Sequence, residues 1–132
     1  VMRKVMALYE VLAHSAVPKI TVILRKAFGF GYIALGGPPV GADYVVSWAN
    51  AEIGFMSAEN AVAVLHHKRL RDTAREHGDA AARALAGRLE TETHSAFAPW
   101  AGAGDVSIHD VIRPEETRQA VVDGLYIATG YR

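Results

Sequence analysis

The sequence predicts a layered α/β fold, and three observations carry that expectation. Residues 20–24 read ITVIL, apolar at nearly every position, as strands do when both of their faces are covered. An amphipathic helical pattern precedes this run and joins it through a short connection, giving one crossover unit. Strand candidates are few, short and dispersed among many helical segments, which argues for a piece of a layered fold over a small closed barrel.

The elements follow in order. Residues 2–16 predict a helix, with Met2, Met6, Tyr9 and Ala13 in one stripe and Val5, Leu8 and Leu12 beside it. Pro18 closes that helix. The strand at 20–24 is followed by two cations, Arg25 and Lys26, and by a glycine-spaced turn, Gly29-Phe30-Gly31. Tyr32 to Leu35 reads as a short helix broken by Gly36-Gly37-Pro38-Pro39. Strands are expected at 44–48 and 53–56. Ser57 then sits at an N-cap, with a helix from Ala58 to about Leu70. A more polar helix runs from about Arg71 to Glu92, with Gly78 and Gly87 as its weak points. Residues 95–105 are a loop by composition. Pro114 opens the last helix, to about Ala128, and Glu115 and Glu116 complement its positive end.

Bulk properties narrow the function. The chain has 132 residues, enough for one domain, with 51% apolar and 21% charged residues. A formal net charge of zero argues against nucleic acid or an anionic membrane as an obligate partner. Cysteine is absent, which removes disulfides and thiolate chemistry and agrees with a reducing, cytoplasmic setting. No apolar run approaches the roughly 20 residues that span a bilayer, and no cleavable leader is evident.

Side chains suited to chemistry are poorly arranged. The six histidines lack metal-ligand spacing: His66 and His67 are adjacent and diverge on a helix, while His14, His77, His94 and His109 are scattered. Ser15, Ser47, Ser57, Ser95 and Ser107 include none in a nucleophile elbow. Asp43 and Glu52 lie near strand ends, where loop and capping roles outweigh acid–base work. Trp48 and Trp100 read as core residues before pocket residues. The glycine turn lacks the Gly-Lys-Ser/Thr of a phosphate loop and the spacing of a dinucleotide fingerprint. What strand, tight loop and helix start can offer is backbone N–H groups aimed at a developing negative charge.

Four ordered blocks then carry a resemblance. VPKITVILRKAFGFGYIAL at 17–35 resembles the VPK-T-VI-RKA-YGG-Y pattern of biotin-dependent acyl-CoA carboxyltransferase β subunits, and a basic amphipathic helix precedes it as in that family. Trp48-Ala49-Asn50-Ala51-Glu52-Ile53 with Met56-Ser57 resembles W-x-x-A-E-I-x-V-M-G, and Asp110-Val111-Ile112-Arg113-Pro114 with Glu116-Thr117-Arg118 resembles D-V-I-x-P-x-x-T-R. Phe30 stands within a triplet that is small in the family, Ser57 stands where glycine is common, and 77–89 carries no alignable motif.

The resemblance, of the propionyl-, acetyl- and methylcrotonyl-CoA carboxylase type, implies a crotonase fold. It also implies that residues 1–132 form most of the second, C-terminal carboxyltransferase domain, incomplete on its N-terminal side. In such proteins N-carboxybiotin releases CO2 and its ureido oxygen becomes enolate-like; the acyl-CoA α-carbon is then deprotonated and carboxylated. By position, the Phe30 and Gly31 N–H groups would be the oxyanion donors, with Gly29 making the turn. Tyr32 would adjoin the biotin side, and Tyr32 with Ile33 would line the acyl pocket. The implied cofactor is biotin on a carrier protein, with no metal. Implied partners are an acyl-CoA, the biotin carboxyl carrier, biotin carboxylase and the N-terminal carboxyltransferase domain of another subunit, in a homo-oligomer. Two other readings stand beside it: a crotonase-type hydratase, isomerase or hydrolase with Glu52 as base, and a non-catalytic assembly remnant.

Overall fold

In the computed structural model of the chain, residues 2–100 and 108–130 are described. Residues 101–105 of the expected loop, and Ser107, lie outside them. Helix α1 (Met2–His14) leads into β1 (Ile20–Ile23), β2 (Lys26–Phe28) and α2 (Gly29–Ala34). A 3-10 turn at Pro38–Val40 connects to β3 (Tyr44–Trp48) and β4 (Glu52–Gly54), then α3 (Ala58–Leu65) and α4 (His67–Ala96). After β5 (Asp110–Ile112), a second 3-10 turn at Pro114–Glu116 opens α5 (Thr117–Thr129). β1, β3 and β5 form one sheet in that order, β2 and β4 form another, and every pairing is parallel.

The apolar run of β1 follows from its two covered faces. Val22 joins Tyr44, Val46, Trp48 and Ile112 against Ala120 of α5. Ile23 joins Val45, Ala27, Ala51 and Ile108 on the opposite face, where Tyr32 of α2 packs. Helix α5 approaches the sheet through Gly124: a Cβ built there would lie 2.8 Å from Tyr44 Cδ1 and 3.2 Å from Ile20 Cγ1. The absent side chain sets the distance between helix and sheet.

Two strands were not expected. β2 and β5 have three residues each, too short for a period-two pattern to register, and their formation depends on partners distant in sequence. Lys26 pairs with Glu52 and Phe28 with Gly54, while Val46 pairs with Asp110. The strand expected at 53–56 starts one residue earlier and ends at Gly54. The helical boundary expected near residue 70 falls at His66 instead. Ser57 caps α3 as expected, its hydroxyl accepting from the Asn60 N–H.

The weak point at Gly78 is a break. Its φ of 83° and ψ of 166° interrupt α4. Leu70 packs in one cluster with Val62, Leu85 and Leu89. In a straight helix, residues 70 and 85 would stand about 22 Å apart at 1.5 Å per residue, so the chain folds back at Gly78. The helix then continues to Ala96, beyond the expected end at 92 and into the composition-defined loop.

Two glycines of similar helical setting should respond oppositely to alanine. At Gly87 nothing lies within 4 Å of an added Cβ, so Gly87→Ala should stabilise the chain by about 0.5–1 kcal/mol. At Gly124 the same methyl meets the Tyr44 ring, and Gly124→Ala should destabilise by about 1 kcal/mol despite the gain in helix propensity. Urea unfolding of both variants checks the pair; the same sign of change in both would contradict it.

Candidate functional site

The glycine turn sits at the end of β2, in the smaller sheet. The Glu52 N–H donates to the Arg25 carbonyl at 2.6 Å, and the β2–β4 ladder continues from there to Phe28 and Gly54. This pairing brings the Phe55 carbonyl over Gly29, which has a φ of +53°, and an added Cβ would lie only 2.7 Å from that oxygen. Gly29 is required twice, by its left-handed backbone and by the close approach.

Helix α2 begins at this glycine, three residues before the expected start at Tyr32, so the turn is itself the helix's first turn. Phe28 precedes it in an extended conformation and supplies no capping side chain. The first N–H groups of a helix have no acceptor within it; the β2–β4 ladder directs that of Gly29 to the Gly54 carbonyl, which leaves those of Phe30 and Gly31 without a helical partner. In a helix of six residues these individual N–H dipoles, more than a macrodipole, supply the local field.

One of these peptide groups is held from behind. The Tyr9 hydroxyl of α1 donates to the Phe30 carbonyl at 3.0 Å, and that carbonyl shares its peptide plane with the Gly31 N–H. The bond fixes the plane and polarises the amide at its other end. The Phe30 ring leans the same way, its centroid 6.4 Å from that of Tyr9. In the sequence Tyr9 reads only as part of an apolar helix stripe and Phe55 only as part of the strand expected at 53–56. Nothing in the local sequence marks a carbonyl that acts through its backbone.

Alongside β1 and β2 runs a groove of about 690 Å³, lined by residues 20–28, with Gly31, Tyr32 and Leu35 from α2. Phe30 is not among its lining residues. Around Gly31 an added Cβ would meet nothing within 4 Å. Arg25 and Lys26 are exposed at the groove. Consecutive residues on a helix diverge, and α2 separates Tyr32 from Ile33: Ile33 lines a second cleft, of about 470 Å³, with Met6, Tyr9, Ala13 and Val40. The return after α2 is tight, the Thr21 hydroxyl donating to the Gly36 carbonyl at 2.7 Å.

The side-chain candidates take structural places. Glu52 lies 3.5 Å from His94 Nδ1 and does not line the groove, so it ties β4 to the end of α4. Asp43 accepts from the Lys19 N–H at 2.7 Å. His109 Nδ1 accepts from the Val45 N–H at 3.0 Å and braces the β3–β5 pairing. The Ser47 hydroxyl is fully buried and donates to the Trp48 carbonyl. Trp48 is a core residue whose indole N–H donates to Thr117, whereas Trp100, expected in the core, is 64% exposed. Among the described residues no cluster of three or more histidines or carboxylates could hold a metal ion, and no helix is long and apolar enough to cross a membrane. The ionisations that the fold shifts lie away from the turn. Burial raises the Tyr44 phenol, with Asp110 and Asp123 adding to it, and the hydrogen bonds from Arg113 hold Glu116 below the usual carboxylate range.

Comparison with known proteins gives this geometry a family. The model of the carboxyl transferase domain matches residues 1–129. The methylmalonyl-CoA carboxyltransferase 12S subunit of Propionibacterium freudenreichii is 36% identical over 113 residues, 86% of this chain and 21% of that protein. The biotin-dependent acetyl-/propionyl-coenzyme A carboxylase beta5 subunit of Mycobacterium tuberculosis is 32% identical over 133 residues, the whole of this chain and 23% of that one. A solved structure of transcarboxylase 12S, described as a hexamer assembly with methylmalonyl-coenzyme A bound, superposes with a TM-score of 0.84 at 33% identity, over 99% of this chain and 24% of that one. This chain therefore spans about a fifth to a quarter of the length of these relatives. With nearly all of its residues matched and the α/β fold shared, the chain belongs to the carboxyl transferase domain family and has that family's crotonase-like architecture.

Proposed function

We propose that this chain supplies the biotin-side half of a carboxyl-transfer site, as part of the C-terminal domain of a carboxyltransferase. In this site a carboxyl group passes from N-carboxybiotin to the α-carbon of an acyl-CoA. The observation that carries the reading is the pair of uncapped amides, Phe30 and Gly31, at the start of α2 on the family's own motif. Carboxybiotin, when bound, would supply the carboxyl carbon and the base for the acyl α-proton. The Phe30 and Gly31 N–H groups would hold its ureido oxygen, and Gly29 lets the backbone turn toward it. Elsewhere, removing one oxyanion donor costs about 3–4 kcal/mol, so a two-donor cradle is a major part of the barrier reduction.

The chain's other surfaces fit a component of a larger assembly. Leu8 and Val11 on α1, and Leu125 and Ile127 on α5, are exposed apolar side chains on opposite sides of the fold. Under this reading they face further copies or the N-terminal carboxyltransferase domain of another subunit. The biotin carboxyl carrier and biotin carboxylase complete the set of partners. The cleft at Ile33, walled by Met6 and Val40, suits an uncharged acyl chain.

Three measurements test the reading. The isolated chain should show no decarboxylation of malonyl-CoA or methylmalonyl-CoA with free biotin, whereas a chimera carrying it in place of the matching residues of the 12S subunit should turn over. Robust turnover by the chain alone, or a silent but folded chimera, would contradict the proposal. In that chimera Tyr9→Phe frees the Phe30 peptide and should lower kcat about fivefold to tenfold, the equivalent of about 1 kcal/mol, with little change in KM for the acyl-CoA. An unchanged kcat removes Tyr9 from the positioning of the Gly31 amide. Glu52→Gln should lower kcat by less than about tenfold, because a general base would contribute at least 100-fold. A larger fall would support hydratase-type chemistry instead.

A further inference from the structure

The β3–β5 pairing is closed by a side chain where a backbone group would ordinarily serve. The His109 N–H donates to the Val45 carbonyl at 2.7 Å, and the Val45 N–H donates in return to His109 Nδ1 at 3.0 Å. In a regular parallel ladder that N–H would reach a carbonyl of the neighbouring strand. A backbone N–H can only donate, so Nδ1 turns its lone pair to Val45 and the neutral ring carries its proton on Nε2. The imidazolium has a proton on each nitrogen and cannot accept. The bond therefore exists in one charge state of the ring only.

Its place in the fold makes that charge state matter. Val45 is fully buried, and Nδ1 is the acceptor of its N–H among the described residues. A buried N–H that loses its acceptor is costly unless the chain opens to admit water. Ile108, next to His109, is 1% exposed and packs with Val45 in one core cluster. β5 has only three residues, so a contact at its entry is a large part of what holds it. His109 itself is exposed, and protons reach it.

The charges beside the ring are mainly negative. The Tyr44 ring lies against His109 with centroids 5.3 Å apart, and burial raises that phenol, which stays uncharged. The charges of Asp110, next on β5, and of Asp123 on α5 act on the same phenol. Glu116, in the turn before α5, lines one recess with Tyr44, Asp110 and Asp123 and is held by Arg113. On the β1 side of Tyr44, Lys19 Nζ donates to the Ser15 carbonyl and Asp43 accepts from the Lys19 N–H.

We propose that His109 is a proton-operated latch on β5. Neutral, it closes the β3–β5 pairing through the Val45 N–H; protonated, it lets go, and residues 108–110 loosen from the sheet. Histidine ordinarily changes charge between about pH 5 and 8, so docking of the last strand follows acidity across that range. The sense is opposite to that of the Glu52–His94 contact at 3.5 Å, which protonation of His94 strengthens. The proposal stands whatever reaction the glycine turn serves.

Amide hydrogen exchange at Val45 in the full chain tests it, because a local probe separates His109 from the other histidines. Val46 is the reference, since alternation turns its N–H to β1. Between about pH 8 and about pH 5 the protection factor at Val45 should fall at least about tenfold, while that at Val46 changes little. His109→Asn places an acceptor oxygen where Nδ1 stands, without a titrating group, and should keep Val45 protected at both ends of the range. Nitrogen NMR of the unsubstituted chain at the alkaline end should find the ring proton on Nε2. Undiminished protection of Val45 in acid, a fall shared by Val46 or by His109→Asn, or a neutral ring protonated on Nδ1 would overturn the proposal.

Discussion

The site depends on one close approach, the Phe55 carbonyl against the Cα of Gly29. An oxygen that would stand 2.7 Å from any Cβ leaves no room for a side chain, and a φ of +53° is one that residues with side chains rarely adopt. Both conditions follow from the β2–β4 ladder, which places the end of one short strand against the end of the other. The direction of α2 follows in turn, because a helix started from this conformation has no freedom to aim its first N–H groups elsewhere. Packing behind the ladder fixes it further. The Phe97 ring lies 3.1 Å from where a Gly54 Cβ would be, and the Phe97 carbonyl accepts from the Ile53 N–H at 2.9 Å. The end of the long helical hairpin is thereby pinned to the strand that positions the turn.

The arrangement explains why no acid, base or nucleophile is found at the turn among the described residues. A backbone amide needs no particular side chain, does not titrate and is oriented by the fold before any ligand arrives. The groups whose ionisation the fold shifts, Tyr44 on β3 and the Arg113–Glu116 pair at the entry to α5, serve packing and helix entry. Under the proposed carboxyl transfer, in which the transferred carbon and the base come from the same cofactor, fixed dipoles beside an open groove would be a sufficient contribution from this domain.

Much of this was legible in the sequence, and unevenly so. Long periodic segments and their punctuation read correctly: α1, the cap at Ser57, the break at Gly78 and the strand at 44–48 each depend on local chemistry. The Gly29-Phe30-Gly31 turn was visible as a turn, and the flanking motifs gave it a family. Illegible were elements that exist only by pairing. β2 and β5 have three residues apiece, and their registers are set by partners 26 and 64 residues away, the separations of Lys26 from Glu52 and of Val46 from Asp110. The same limit hid Tyr9, whose hydroxyl reaches a carbonyl 21 residues on, and Trp100, whose expected burial needed a neighbour that the local sequence cannot specify.

Phe30 is the largest departure from the family's small triplet, and its position shows how a backbone site tolerates it. In the proposed role the donor is the N–H, which every residue but proline carries, so the constraint on the side chain is only that it stay out of the groove. The ring does so by leaning on Tyr9, on the α1 side of the turn, where it is still about half exposed. The same tyrosine whose ring supports Phe30 holds its carbonyl, so side chain and peptide plane are fixed by one partner. Gly31 faces open space by contrast, and a methyl there would touch nothing. Of the three turn residues only Gly29 is irreplaceable on steric grounds. The other two positions are free in side-chain size to the extent that α1 can receive what is placed there.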